Sequence, residues 1–229
     1  MNYARTSSTV REMFGSIADR YDLANTVLSG GIHHLWRRKL LRAARREQVT
    51  SALDLCTGTA DLAALLEPWC TKVIGADFCL PMLRRGKHKL RHATSALLQG
   101  DALKLPFRDC CFDLVTVAFG VRNFEDTEAG LTEIARVLRP GGRLLVLEFG
   151  QPALPLWSKI YNLYAQKVLP LIGGAVSGNR AAYSYLQRTS AEFPCRSQFV
   201  ELLRRSGFGE AHFTALTGGI AYLYEARRV

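Results

Sequence analysis

The chain has no C-x-x-C pair, no paired Cys/His spacing of the kind that holds a metal, and no apolar run near the ~20 residues of a membrane span. Its six cysteines (Cys56, Cys70, Cys79, Cys110, Cys111 and Cys195) therefore read as reduced thiols, not as a disulfide framework or a zinc site. The opening MNYARTSSTV carries no secretory apolar core, so a cytoplasmic location is expected. Acidic residues are scarce: 20 against 30 Lys and Arg, giving a formal charge of +10 and a pI near 9.6. No aromatic RNP run or GXXG loop accompanies that charge, so no nucleic-acid partner is expected. There is no internal repeat. The 229 residues, 48% hydrophobic, suit one α/β domain spanning 1–229 with a substantial core.

Also missing is the G-x-G-x-x-G run that cradles a dinucleotide pyrophosphate. In its place stands LDLCTGTAD, Leu53 to Asp61. The apolar run Ser51–Leu55, interrupted only by Asp54, predicts a strand. Thr57-Gly58-Thr59-Ala60 predicts a tight turn, and Leu62–Leu66 a helix. Such a turn lies beyond the carboxyl end of a strand, where open α/β sheets bind ligands. With a single glycine and with Asp61 at the helix start, it repels phosphate but suits a ligand bearing an ammonium or sulfonium group. Lys72–Ala76 predicts a second strand ending at Asp77, placed to grip ribose hydroxyls. Asp54, Gly58, Asp61 and Asp77 taken in order point to S-adenosylmethionine rather than NAD.

The remaining pattern continues an α/β alternation. A helix is expected over Leu80–Leu90 and a strand over Ser95–Leu98, with Asp101 beyond it placed to accept from an adenine amine. Phe112–Val117 predicts a strand leading into Ala118–Phe124, a loop suited to face a substrate. Glu128–Leu138 predicts a helix, Arg143–Phe149 a strand ending near Glu148, Ser197–Arg205 a helix, and Glu210–Leu216 and Ile220–Arg227 two final strands. Ahead of the sheet, residues 1–48 read as a helical lid or substrate segment. It opens with capping-box spacing at Thr9–Glu12 and one apolar face of Val10, Met13, Phe14 and Ile17. Residues 152–188 read as a helical insertion over the active edge, rich in Leu154, Leu156, Trp157, Ile160, Tyr161, Tyr164 and Leu169, which suits an apolar substrate or a membrane face. The stretch Trp36–Arg46 reads as a cationic amphipathic helix, suited either to plain solvation or to anionic lipid headgroups.

LDLCTGTAD, VIGADF, GDALKLPF, FDLVTVAFGVRNFED and RVLRPGGRLLVLEF together resemble the class I S-adenosylmethionine-dependent methyltransferases. YDLANTVLSGGIHHLW (Tyr21–Trp36) and RVLRPGGRLLVLEFGQP (Arg136–Pro152) narrow the resemblance to the ubiquinone/menaquinone biosynthesis C-methyltransferase family over nearly the whole chain. The Cys-x-Gly-Thr-Ala-Asp form of the turn leans towards members acting on demethylmenaquinone. The resemblance implies an α/β, Rossmann-like fold: a seven-stranded sheet, mostly parallel, its last strand antiparallel, with helices on both faces. It implies transfer of a methyl group from S-adenosylmethionine to a ring carbon of a polyprenylated quinol. Thr59 then falls in the methionine-binding turn, Asp77 at the ribose, Asp101 and Ala102 at the adenine, and Arg122-Asn123 in the substrate loop. The expected roles are phenolate stabilisation by Arg122, orientation of the ring oxygen by Asn123, and proton acceptance by Asp22 or His33. No metal is expected. A homodimer is left open, as is a peripheral position at the inner membrane face, where a prenyl tail resides. The competing readings are another small-molecule or RNA methyltransferase and a non-catalytic protein that binds the same cofactor.

Overall fold

A computed structural model describes residues 6–152, 157, 159, 161, 163, 164 and 180–229. Its centre is a seven-stranded sheet in the order β3-β2-β1-β4-β5-β7-β6. The strands are β1 (Val49–Leu55), β2 (Cys70–Asp77), β3 (Ala96–Gln99), β4 (Phe112–Ala118), β5 (Leu138–Phe149), β6 (Phe208–Leu216) and β7 (Ala221–Arg228). The pairs among β1 to β5 are parallel, whereas β7 is antiparallel to both β5 and β6, so six strands run one way and β7 the other.

The central strands are apolar on both faces because both faces are covered. Ala52, Leu53 and Leu55 of β1 are buried, as are Leu114, Val115 and Val117 of β4. On one face Leu131 and Ile134 of α6 (Thr127–Val137) and Phe199 and Leu203 of α8 (Ser197–Arg205) close the core. On the other, Trp36 and Leu40 of α3 (Ile32–Ala44) join Leu62 and Leu66 of α4 (Asp61–Leu66). A third cluster lies outside these layers. In it Val10, Met13 and Ile17 of α1 (Ser7–Ile17) and Ala24 and Leu28 of α2 (Tyr21–Ser29) meet Met82 of α5 (Leu80–Gly86) and Ala182 of α7 (Arg180–Glu192). It is a helical cover over the carboxyl ends of β1, β2 and β4.

Several boundaries differ from expectation. The helix after β2 ends at Gly86, followed by a 3-10 turn over Lys87–Lys89. A Cβ on Gly86 would lie 2.7 Å from the Thr59 carbonyl carbon, so only glycine lets this helix end against the turn after β1. β5 begins at Leu138, paired with Phe112, before a register shift at the exposed Arg139-Pro140-Gly141. The capping box does not form. Thr6 is the N-cap of α1, and its hydroxyl meets that of Thr9 instead of a backbone amide. The expected lid segment is three helices, with Gly30 and Gly31 in left-handed conformation turning the chain from α2 into α3. Of the expected insertion over 152–188, Leu154, Leu156, Ile160 and Leu169 lie outside the described residues.

Candidate active site

The sheet's order reverses between β1 and β4, and the crevice beyond their carboxyl ends is where the fold places a ligand. The turn leaving β1 is tightly curled, with Cys56, Gly58 and Ala60 all at positive φ near 60°. Left-handed conformation costs an L-residue ~1–2 kcal/mol, so surrounding bonds must hold the turn in place. Asp54 supplies two of them, its carboxylate accepting from the hydroxyls of Thr57 at 2.6 Å and Thr116 at 2.7 Å. Asp77 at the end of β2 supplies another, accepting from the Gly58 N–H at 2.9 Å and the Cys79 N–H at 2.8 Å. Burial pushes both carboxyls up to about 6, against the pull of these hydrogen bonds. Gly120 completes the fit: a Cβ there would stand 2.4 Å from that of Cys56.

One cavity opens off this turn and a second lies beside it. The smaller, about 70 Å³, is lined by Gly58, Asp77, Asp101, Ala102 and Asn123, with Tyr21 over them. Asp101 is held by the Leu103 N–H, 2.9 Å from its Oδ1. Asn123 Oδ1 is buried there without a hydrogen-bond partner, an unusual state for a polar atom and one that a donor-bearing ligand would relieve. Asp77 is bonded to backbone amides only among the described residues, and the roughly four acceptor sites of a carboxylate leave capacity for a ribose diol. These residues fit S-adenosylmethionine.

The larger cavity, about 770 Å³, lies under the cover, between α1–α3 and α7. Its walls include Trp36, Phe149, Trp157, Tyr161 and Tyr164, and its polar groups include His33, Arg37 and Arg122. Phe14, Tyr21 and Phe119 line both cavities, so an aromatic partition separates them. Arg122 is buried and paired with the fully buried Glu148, Nη1 to Oε1 at 2.8 Å, and Nη1 also donates to the Phe119 carbonyl. Its guanidinium carbon stands 5.3 Å from the centre of the Phe149 ring. Its Nε is buried without a partner.

The remaining expected site residues gather in a charged latch between cover and sheet. The Thr59 hydroxyl donates to Asp22 Oδ1 at 2.6 Å, and Lys89 bridges Asp22 at 2.7 Å and Asp61 at 2.5 Å. Arg37 donates to the other oxygen of Asp61 at 2.7 Å. These cations hold the Asp61 carboxyl below the usual range despite its partial burial. Asp22, Asp54, Thr59 and Asp61 line neither cavity, and Asn123 lines the smaller one, not the larger. Sequence reasoning gave no role to Tyr21, Lys89 or Glu148. Glu148 carries the same strand-end signal that marked Asp77, whereas Lys89 sits in a basic run with nothing to single it out. Among the described residues, no three His, Cys, Asp or Glu side chains come together as a metal site.

A reversed seventh strand and an acid-rimmed crevice at the switch point define a class I S-adenosylmethionine-dependent methyltransferase. Solved structures share the fold. A SAM-dependent methyltransferase of Thermotoga maritima aligns with a TM-score of 0.68 at 18% identity, covering 95% of this chain and 99% of that one. Human N-acetylserotonin methyltransferase, solved with SAM, aligns with a TM-score of 0.63 at 20% identity, covering 91% of this chain and 55% of that one. Within the class, the chain belongs to the ubiE/COQ5 methyltransferase family, whose model matches residues 2–228. The ubiquinone/menaquinone biosynthesis C-methyltransferase UbiE of Bdellovibrio bacteriovorus is 44% identical over 98% of this chain and 97% of its own length. The demethylmenaquinone methyltransferase of Thermus thermophilus is 44% identical over 94% of this chain and all of its own.

Proposed function

We propose that the chain methylates a ring carbon of a reduced polyprenylated quinone, with demethylmenaquinol as the acceptor and menaquinol as the product. The observation that carries this reading is the large aromatic cavity, which shares Phe14, Tyr21 and Phe119 with the cofactor-side cavity. A fused aromatic ring with an apolar tail matches its walls, and a partition of side chains can part to bring two bound molecules together. The sulfonium of S-adenosylmethionine supplies an already activated methyl group, so the protein's task is alignment; holding reacting atoms ~3–3.5 Å apart accounts for much of such a rate.

In this reading Asp77 binds the ribose diol, Asp101 and Ala102 flank the adenine, and Gly58 and Thr59 shape the turn beneath the methionine portion. Asp54 and Asp61 hold that turn from behind, and Asp22 latches the cover to it. Arg122 stabilises the negative charge that gathers on the acceptor oxygen as the methylated carbon loses its hydrogen and the ring regains aromaticity. Arginine stays protonated, so its role is electrostatic, and Glu148 fixes its orientation. Asn123, its neighbour in the same loop, offers a buried and unpartnered Oδ1 that a bound donor would satisfy.

The outer face of the cover suits an anionic membrane, where a prenyl tail resides. Leu23 and Val27 of α2 and Leu35 of α3 are exposed, and Arg38, Lys39 and Arg42 lie exposed on α3. Val27 also lines the large cavity, which places this apolar face at the cavity's margin. Among the described residues no helix is long and apolar enough to cross a membrane, so the contact proposed is peripheral. Every residue invoked comes from one chain, so the reading requires neither a homodimer nor nucleic acid. The test is incubation with methyl-labelled S-adenosylmethionine and a panel of reduced naphthoquinones, reduced benzoquinones and RNA. Label is expected in the naphthoquinol carbon skeleton; label in RNA alone, or in none of them, overturns the reading.

A further inference from the structure

His33 sits on the large cavity, one turn beyond Ser29 across the α2–α3 corner. The Ser29 hydroxyl lies 2.7 Å from the Asn25 carbonyl oxygen, to which it donates, and 2.6 Å from His33 Nδ1. A hydroxyl has one proton. With that proton given to Asn25, the Ser29 oxygen accepts from Nδ1–H, which fixes the tautomer and leaves the lone pair on Nε2. Among the described residues, none is shown hydrogen-bonded to Nε2. The alternative acceptor, Asp22, is spent: its two oxygens hold Thr59 and Lys89, and it lines neither cavity.

We infer that His33 Nε2 is the proton acceptor for the acceptor ring's hydroxyl, with Ser29 and the Asn25 carbonyl as the relay that orients it. The inference rests on the quinol reading above. The groups facing the imidazole set when it acts. Burial, Arg37 and His34 lower its basicity while Asp61 and Asp22 raise it, and the result is about 4. A phenolic hydroxyl near 10 does not ionise onto so weak a base, the gap being about six powers of ten. Proton transfer therefore comes late. As the ring carbon ortho to the hydroxyl forms its bond to the methyl carbon, the methyl–sulfur bond breaks and S-adenosylhomocysteine leaves. The hydroxyl now belongs to an oxygen-stabilised ring cation, far more acidic than a phenol, and its proton passes to Nε2 to leave a ring ketone. Water then removes the hydrogen from the methylated carbon, Nε2 returns its proton to the oxygen, and the aromatic quinol is restored with one proton released overall.

The test combines a variant with a spectroscopic readout on the unaltered protein. His33→Asn keeps a donor towards Ser29 and removes Nε2. Its turnover is expected to fall about 10²–10³-fold, with KM for the quinol and cofactor affinity within about threefold, and His33→Gln, whose amide reaches the Nε2 position but is not basic, to stay equally low. In nitrogen NMR of the wild-type protein, Nε2 is expected unprotonated at pH 7, its resonance moving on binding of a non-transferable quinol analogue but not of the analogue's dimethyl ether. Unchanged turnover in His33→Asn, or a proton on Nε2 at rest, overturns the assignment. If His33→Asn does not fold, the NMR measurement decides by itself. A wild-type protein that methylates no quinol instead overturns the quinol reading, and the two failures are told apart by the wild-type assay.

Discussion

The two sides of the site are held by different means. On the sheet side, carboxylates stand at strand ends and are fixed by buried hydroxyls and backbone amides of the sheet and its turns: Asp54 by Thr57 and Thr116, Asp77 by Gly58 and Cys79. On the cover side, ion pairs span long stretches of chain, with Arg37 on Asp61 and Lys89 on both Asp61 and Asp22. The first arrangement is rigid because the sheet beneath it is. The second can be undone without unfolding anything, because its members are only partly buried and water can replace each partner. The rim is thus a template and the cover a closure, and substitutions on the two sides should behave differently.

The largest effect is expected at the sheet centre. Glu148→Gln strands the buried Arg122 charge, and thermal or denaturant unfolding should show a loss of about 3–5 kcal/mol. A change under 1 kcal/mol would mean that the pair is not sealed from water. Next is the rim itself. Asp77→Asn keeps one acceptor oxygen and loses the other, and calorimetry should record roughly a hundredfold weaker cofactor binding, since a hydrogen bond to a charged group contributes ~1.5–3 kcal/mol. The same group sets a pH dependence. With Asp77 displaced to about 6, lowering the pH from 7 to 5 protonates the acceptor, and cofactor affinity should drop by about tenfold. The sign follows from the ionised form being the one that receives the ribose hydroxyls. Because Asp54 shares the displaced value, the titration should persist in an Asp54→Asn background; its disappearance there would reassign it to Asp54. The smallest effect is expected on the cover. Lys89→Met should cost about 1 kcal/mol of stability or less, while amide exchange accelerates in α1 and α2 and stays unchanged in β1 and β4. Equal acceleration in both regions would erase the distinction between template and closure.

The same contrast explains what the sequence disclosed. Strand ends were legible because a parallel strand buried on both faces is a continuous apolar run, so Asp54 and Asp77 interrupt or end such runs visibly. α8 was legible to the residue, Ser197–Arg205, through its period and the Ser206-Gly207 stop. The early start of β5 was not, because Pro140 and Gly141 argue locally for a break while Leu138 pairs with Phe112 across the sheet. Nor was the latch. Lys89 lies 28 residues from Asp61, and Trp36 donates to Thr217 at a separation of 181, distances over which no periodicity carries information. Tyr21 carries no local signal either; its place over Gly58 is decided by where α2 docks.

The partition formed by Phe14, Tyr21 and Phe119 has a consequence for anyone wishing to alter what the enzyme accepts. A wall common to two rooms cannot be moved for the benefit of one. Trimming any of these rings to admit a bulkier head group also loosens the seat of the nucleoside, so altered substrate scope and weakened cofactor retention should arrive together in the same variants.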